Sequence, residues 1–252
     1  MNMLPKTILG IFLVGIISWS IWAQPGFEQA QLNFTRVRTA KNEKDATLRH
    51  EFERRALNFA PKNIYLRAFK EEKILEVWVQ NEFGQDYVKF RDYSFCKSSG
   101  ILGPKKKQGD EQVPEGFYYI DEFNPNSKFY LSLGINYPNR SDRIKAQSSN
   151  LGGDIYIHGD CVSIGCIAIT DENIKELYWL AVKTRENGQT YIPIHIFPYK
   201  FDITSPFLYE HAKADVALHQ FWDNLKDAYY FFSYKRRPPF VHINDDGTYE
   251  FF

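Results

Sequence analysis

The chain has 252 residues, a length that suits one large domain or one domain with extensions. Its 31 basic and 31 acidic residues give a formal net charge of zero, which argues against a nucleic-acid-binding protein. Aromatic residues reach 17%; such a share fills a β-rich core or lines a groove for sugar or peptide, and we favour the core.

The N-terminus has the pattern of an export signal. Lys6 precedes an apolar run, Ile8–Ile17, of the length of a signal-peptide core, and Ile21-Trp22-Ala23 offers a cleavage site before Gln24. An uncleaved membrane anchor is the alternative, although the stretch is short for a span. We therefore predict a signal peptide over residues 1–23 and a periplasmic or otherwise exported mature chain.

A helix and a series of short strands follow. An amphipathic helix ending near Pro61 is indicated by apolar residues at helical spacing, namely Leu48, Phe52, Ala56 and Phe59. Ile64–Phe69 and Ile74–Val79 flank a polar tetrapeptide and predict a hairpin. Further strands are predicted at Tyr87–Phe90, Phe117–Ile120, Phe129–Leu133 and Ile155–His158. The intervening stretch Gly100–Glu115 predicts a loop long enough to suggest a functional role.

Two helices are predicted in the C-terminal third. The first begins after the cap Thr170, has an apolar stripe and stops at Gly188; the stripe consists of Ile174, Leu177, Tyr178 and Ala181. Tyr191–Phe197 predicts a strand, in which Pro193 indicates an edge or end position. The last helix has one apolar face, made of Leu218, Trp222, Leu225, Tyr229 and Phe232, and two short β-like pieces follow. The expected fold is mainly β with helices at both ends (α+β).

The most informative segment is Tyr156–Thr170. It puts His158-Gly159 at the end of an apolar β-like run, and Cys166 follows eight positions later behind the turn Ser163-Ile164-Gly165. A nucleophilic thiol needs a base and backbone N–H donors for an oxyanion. We therefore predict Cys166 as nucleophile and His158 as base, with Gly165 and Ser163 forming the oxyanion turn. The nearby helix N-terminus and the catalytic role predict a depressed pKa for the Cys166 thiol.

The other cysteines and histidines have less specific roles. Cys96 and Cys161 either pair in an oxidising compartment or stay free, and the sequence does not decide between these states. A metal site of His158, Asp160, Cys161 and Cys166 is a rival interpretation, but the spacing matches no standard zinc pattern. The remaining histidines, expected to be structural, are His50, His195, His211, His219 and His242. We expect no metal and no cofactor.

Two groups of cations are candidates for binding an anionic group of a substrate. Lys105 belongs to a basic run in the loop Gly103–Asp110, and Arg140 and Arg143 follow Tyr137-Pro138. Each group is an alternative to a solvated charged surface.

The motif resembles that of the L,D-transpeptidase catalytic domain (YkuD) family, in which a His-Gly is followed by a Ser/Thr-His-Gly-Cys turn. Departures are the short His158–Cys166 spacing, Ile164 in place of the turn's His, and Ala168 where many members have Arg. These departures look like the YafK-like branch of the family. Further segments are similar to that branch: Cys96–Lys105, Gly109–Asp110, Pro114–Tyr118, Asn124–Ser127, Leu131–Asn139 and Phe221–Lys226.

The resemblance implies a β-sandwich catalytic domain over residues 61–198, between an N-terminal helical segment (24–60) and a C-terminal helical extension and tail (199–252). It implies Cys166 as nucleophile, His158 as base and peptidoglycan stem peptides with diaminopimelate as substrates. From the branch we expect hydrolysis of peptide or protein cross-links, with a peptidoglycan-linked envelope lipoprotein as a partner. The alternatives are an L,D-transpeptidase that forms cross-links and an inactive peptidoglycan-binding module. We expect a monomer.

Overall fold

A mixed β-sheet organises the protein. The computed structural model describes residues 26–146, 148–202 and 215–252. The predicted signal peptide and His211 lie outside these residues. No helix in the described ranges combines the length and apolar character needed to cross a membrane. The elements in chain order are α1 (Phe27–Gln31), α2 (Thr35–Arg54), β1 (Asn63–Phe69), β2 (Ile74–Gln80), β3 (Val88–Ser94), β4 (Gly116–Asn124), β5 (Ser132–Ile135), α3 (Arg140–Ile144), β6 (Tyr156–His158), β7 (Ile167–Ala168), α4 (Asp171–Glu186), β8 (Ile192–Phe197), α5 (Val216–Lys235), β9 (Val241–Ile243) and β10 (Tyr249–Phe251).

Eight strands form one sheet in the order β3-β2-β1-β8-β4-β5-β6-β7, and β9 and β10 form a separate hairpin. The pairs β1–β8 and β6–β7 are parallel, whereas the other neighbours are antiparallel. The predicted β1–β2 hairpin is confirmed. Because β8 lies in the middle of the sheet, Pro193 is not in an edge strand. It lies at the beginning of β8, the end position that was the other predicted possibility, and pairs with Tyr119 of β4.

Helical layers cover both faces of the sheet. Ile64, Leu66 and Ala68 of β1 pack in the core formed with α2 and α4. Phe69 on the opposite face packs with Trp222 and other residues of α5. Alternate residues of a strand point to opposite faces, and a strand covered on both faces is apolar along most of its length. The predicted α+β fold class is confirmed.

The helix α4 holds the candidate motif against the sheet. Its cap is Thr170, whose side chain accepts a hydrogen bond from the Asn173 N–H at 3.5 Å, as predicted. The chain leaves the helix at Gly188, whose φ of 105° favours glycine. The predicted stripe is fully buried in the core; it consists of Ile174, Leu177, Tyr178 and Ala181. Burial of each large apolar side chain contributes about 1.5–3 kcal/mol.

Two predicted boundaries were wrong. The helix α2 ends at Arg54, short of Pro61, and Ala56 has a left-handed φ of 55° that no helix continues through. The strand predicted at Phe129–Leu133 begins only at Ser132, after Tyr130 with a φ of 71°. In both cases the apolar periodicity continued beyond the regular backbone because Phe59, Phe129 and Tyr130 pack as loop residues.

Candidate active site

The parallel pair β6–β7 brings the predicted base and nucleophile to one face of the sheet. Ile157 is paired with Ile167, and His158 with Ala168. Both isoleucines are buried in the core with α4. Because side chains alternate along a strand, His158 and Ala168 share the opposite face, and the same alternation puts Cys166, directly before β7, on that face. The short loop between the strands therefore places the imidazole and the thiol on diagonal positions of neighbouring strands.

The His158 imidazole is held in one tautomer. Its Nδ1 lies at hydrogen-bond distance from the Gly159 carbonyl oxygen. A carbonyl can only accept, so Nδ1 carries the proton and Nε2 keeps a lone pair. Burial lowers the pKa of His158, although the Gly159 carbonyl and the Asp160 carboxylate oppose this shift. The imidazole is therefore neutral at neutral pH and able to accept a proton at Nε2.

A stacked aromatic ring covers the predicted base. Phe129 lies against His158 with ring centroids 4.5 Å apart and planes 29° apart. His158 is only 1% exposed. The sequence placed Phe129 inside a strand and gave no signal of this contact, because Phe129 precedes β5 and reaches the imidazole only through the tertiary fold.

The Cys166 thiol is protonated in this arrangement. Its Sγ donates to the Asp154 carbonyl oxygen at 3.5 Å. Burial raises the pKa of Cys166, which outweighs the lowering by the Tyr156 backbone and the Lys105 charge. The predicted depressed pKa was therefore wrong, because loss of hydration disfavours the thiolate more than nearby donors stabilise it. Within the described ranges no hydrogen bond joins His158 to the thiol; such bonds often form only with substrate present.

Gly165 and Ser163 shape the turn before Cys166, the predicted nucleophile. Gly165 has a φ of 123°, and a Cβ there would lie 3.0 Å from the Gln112 carbonyl oxygen. The Ser163 hydroxyl donates to the Cys166 carbonyl oxygen at 2.8 Å and accepts the Gly165 N–H at 3.3 Å. Only glycine satisfies both the backbone conformation and the close approach. Ser163 thus braces the turn, while the Gly165 N–H is already engaged.

A disulfide anchors the other side of this loop. Cys96 is bonded to Cys161, with Cα atoms 5.5 Å apart, and Cys166 is the free cysteine. The Cys96 N–H also donates to the Ala168 carbonyl oxygen at 2.9 Å. The pairing that the sequence left open is therefore present. It also removes Cys161 from the rival metal site, and the described residues contain no cluster of His, Cys, Asp or Glu suited to a metal ion.

A carboxylate at the start of α4 holds the loop between His158 and Cys166 by a hydrogen bond. Asp171 Oδ1 accepts the Asp160 N–H at 2.7 Å. Gly159 is required beside it, since a Cβ there would lie 2.9 Å from the Phe129 carbonyl oxygen and 3.0 Å from Ile174 Cγ2. The sequence assigned Asp171 only to the helix terminus. Its second role depends on the loop folding back over α4, which spacing alone does not reveal.

The predicted substrate-binding cations lie in two different places. Lys105 is buried, and its Nζ donates to Asp110 Oδ1 at 2.5 Å and to the Lys107 carbonyl oxygen at 2.9 Å. Its positive charge acts to lower the pKa of the Cys166 thiol. Arg140 and Arg143 instead line a separate groove whose wall does not include the thiol. The structure brings the charge of Lys105, and not the arginines, towards Cys166.

Comparison with known proteins identifies the family of this site. Residues 65–196 match the YkuD family, described as the L,D-transpeptidase catalytic domain. The chain is 36% identical over 182 residues to "Putative L,D-transpeptidase YafK" of Escherichia coli K12, covering 71% of this chain and 70% of the relative. The relative from E. coli O157:H7 matches with the same identity and coverage.

Similar solved structures include the helical cell shape determining protein Pgp2 from Campylobacter jejuni (TM-score 0.44, 20% identity, 73% of each chain). Bdellovibrio bacteriovorus Bd1075 is also similar (TM-score 0.40, 22% identity, 73% of this chain and 78% of that chain). The family match spans β1 to β8 and contains both His158 and Cys166. Together with the 36% identity to YafK over 70% of that protein, it shows that this chain belongs to the YkuD family of L,D-transpeptidase catalytic domains.

Proposed function

We propose that the protein is an exported cysteine-dependent enzyme that cleaves peptide or protein cross-links at diaminopimelate residues of peptidoglycan stem peptides. The observation that carries this proposal is the shared sheet face of His158 and Cys166, with Nδ1 of the imidazole held by the Gly159 carbonyl. That tautomer leaves Nε2 free to take the thiol proton. Family membership supports the substrate class.

The chemistry begins from neutral partners. His158 Nε2 accepts the Sγ proton as Sγ attacks the carbonyl carbon at the diaminopimelate, and the backbone N–H of Cys166 stabilises the oxyanion. Collapse breaks the C–N bond, and the imidazolium returns its proton to the leaving amine. A thioester remains on Cys166. Water, deprotonated by His158, then attacks the thioester and releases a carboxylic acid and the free thiol.

Hydrolysis is proposed over cross-link formation because the wall beside the nucleophile is open and apolar. Ile164 is 78% exposed in the turn, and the fully buried Ala168 places no polar group beside Cys166 for an acceptor. An acceptor amine competes with water only if the site binds it. Transpeptidation remains the alternative, since the same thioester accepts an amine.

Export is supported by the disulfide. A Cys96–Cys161 bond persists in an oxidising compartment such as the periplasm. We propose that the mature chain begins near Gln24. N-terminal sequencing of protein from an envelope fraction is expected to give Gln24, whereas an intact Met1 in the membrane pellet would indicate an anchored enzyme.

The test supplies a diaminopimelate-containing tetrapeptide donor, a linked peptide substrate and a free amine acceptor together, with products followed by mass spectrometry. Wild type is expected to cleave the linked substrate, and Cys166→Ala to lose this activity by at least about 10³-fold. Val162→Ala, an exposed change in the same turn, is the matched control. A new cross-linked product without cleavage would establish the transpeptidase. No product from wild type would favour a binding module.

A further inference from the structure

A second groove lies on the sheet, lined by aromatic side chains. It has a volume of about 980 Å³ and is formed by β4, the start of β8, the segment 136–143 and the tail before β9. Tyr119, Tyr191 and Phe240 are 38%, 63% and 71% exposed. We call this feature the aromatic groove. Its volume is at the upper end of the range for ligand pockets, and exposed rings gathered in a concave surface mark binding sites.

The aromatic groove and the thiol lie on the same face of the sheet. Tyr118 and Ile120 of β4 are buried in the core with α4, so Tyr119 points to the opposite face. His158 pairs with Ser132 of β5, whose neighbour Leu133 is in that same core. The base, the nucleophile and the exposed tyrosine therefore face away from α4 together.

The chemistry of the wall fits a neutral ligand rich in hydroxyl and amide groups. Arg140 pairs with Asp245 at 2.6 Å, and the groove wall also contains the cation Arg143 and the carboxylate of Asp121, so its formal charges nearly cancel. Arg143 donates one N–H to the Pro138 carbonyl oxygen at 2.6 Å, and a guanidinium carries five donors, so others remain. Fixed donors beside exposed rings suit a sugar, whose C–H faces stack on aromatic rings while its polar groups hydrogen-bond.

Two of the rings are held in place by contacts within the protein. Tyr119 and Tyr191 meet edge to face, with centroids 4.9 Å apart and planes 73° apart. The Asn136 side chain accepts the Tyr119 N–H at 2.7 Å and fixes the backbone beneath this pair. The aromatic surface is therefore preformed, which reduces the entropy lost on binding.

The lateral spacing between the aromatic groove and the thiol is close to the length of one stem peptide. The strands β4 and β7 are three positions apart in the sheet, which at about 4.8 Å a strand gives a lateral separation of about 14 Å, and Tyr119 and Cys166 are offset by about two residues along the strands. Four extended residues span about 13–14 Å. A glycan in the aromatic groove would thus deliver the end of a tetrapeptide to Cys166.

We propose that the aromatic groove binds the N-acetylhexosamine glycan that carries the stem peptide. This inference rests on the proposed function for the identity of the glycan. It gives the enzyme a preference for substrates still attached to sugar, and it assigns Tyr191 and Tyr119 as specificity residues outside the catalytic pair.

The test measures binding and turnover separately in the full chain. A peptide-free N-acetylglucosamine tetrasaccharide is titrated into wild type, Cys166→Ala, Tyr191→Ala and Tyr234→Ala by calorimetry. Tyr234 is 80% exposed on α5, outside the groove, and serves as the matched control. The tetrasaccharide is expected to bind wild type, Cys166→Ala and Tyr234→Ala equally, and Tyr191→Ala about tenfold more weakly.

Turnover is compared on one linked peptide with and without its disaccharide. Tyr191→Ala is expected to raise KM about tenfold for the sugar-bearing form, with kcat unchanged, and to leave the sugar-free form unaffected. Absent tetrasaccharide binding, or equal Kd values for Tyr191→Ala and Tyr234→Ala, would overturn the proposal. So would an equal loss on both substrates, which would indicate a peptide groove. If Cys166 proves not to cleave the linked peptide, the calorimetric titration still tests glycan binding, because it does not depend on turnover.

Discussion

Two buried histidines, His158 and His195, show how position in the same sheet distinguishes the proposed base from a structural histidine. Both are strand residues at most 2% exposed, and burial lowers the pKa of both. His195 lies in the central strand β8, shares a 2.7 Å hydrogen bond with the Tyr65 hydroxyl and contacts the ring of Phe117. His158 ends β6 near the sheet edge and faces the thiol.

The difference lies in what surrounds each imidazole. The ring of His195 is enclosed by aromatic side chains and adjacent to the Arg67 charge, which lowers its pKa further. His158 has one ring face covered by Phe129, and the loop to Cys166 lies beside it. A proton acceptor must be neutral and must also reach the donor, and burial provides only the first condition. Strand ends and loops provide the second.

The largest expected effect separates the histidines by activity. His158→Ala is expected to reduce kcat/KM for the linked peptide by about 10²–10⁴-fold, because it removes the proposed acceptor of the thiol proton. His195→Phe, the matched change in the same sheet, is expected to retain kcat/KM within about twofold. Steady-state kinetics on both variants provides the measurement, and equal losses would erase the distinction.

The next effect concerns the Cys96–Cys161 disulfide, which lies beside His158 and has no counterpart beside His195. Replacing both Cys96 and Cys161 by Ser is expected to lower the free energy of unfolding by about 2–4 kcal/mol, because the bond closes a chain loop of 65 residues. Activity is expected to fall as well, since Cys161 anchors the turn that leads to Cys166. Denaturant unfolding and kinetics test both parts; unchanged activity would show that Asp171 and Ser163 suffice to hold the turn.

A smaller effect on stability is expected at the structural histidine. His195→Phe removes the hydrogen bond between the imidazole and the fully buried Tyr65 hydroxyl, which keeps Arg67 as a partner; the free energy of unfolding is expected to fall by about 0.5–1.5 kcal/mol. Tyr65→Phe is expected to cost less in the His195→Phe background than it does alone, because the shared hydrogen bond is already lost. Thermal unfolding of the single and double variants measures the coupling, and additive losses would argue against a shared hydrogen bond.

The last prediction is a displacement of the pH profile. The pKa of His158 lies below its ordinary value of 6.5, so the neutral base persists at lower pH and the acid limb of kcat/KM should fall below pH 6.5. Phe129→Ala exposes the imidazole, restores hydration of the charged form and should move that limb to higher pH. His195→Phe should not move it. A limb unaffected by Phe129→Ala would mean that the ring does not control the base.

Much of the fold was accessible from local patterns. The hairpin β1–β2, the helix α4 with its Thr170 cap and the apolar face of α5 depend on periodicity and capping, which act within a few residues. The end of α2 near Ala56 and the start of β5 near Tyr130 could not be predicted from local patterns, because apolar side chains of the flanking loops also pack on the core. Periodicity records burial, and burial continues after the backbone ceases to be regular.

The sequence by itself determined which reactive groups are present: a His-Gly and a Gly-Cys joined by a short loop, with the branch-specific segments around them. The tertiary structure decided their state. Burial makes the Cys166 thiol neutral, Phe129 covers His158, Cys96 reaches Cys161 across 65 residues, and Lys105 approaches the nucleophile while Arg140 and Arg143 do not. Residue types and spacing act locally, whereas hydration, pairing and long-range charge depend on which distant segments the sheet brings together.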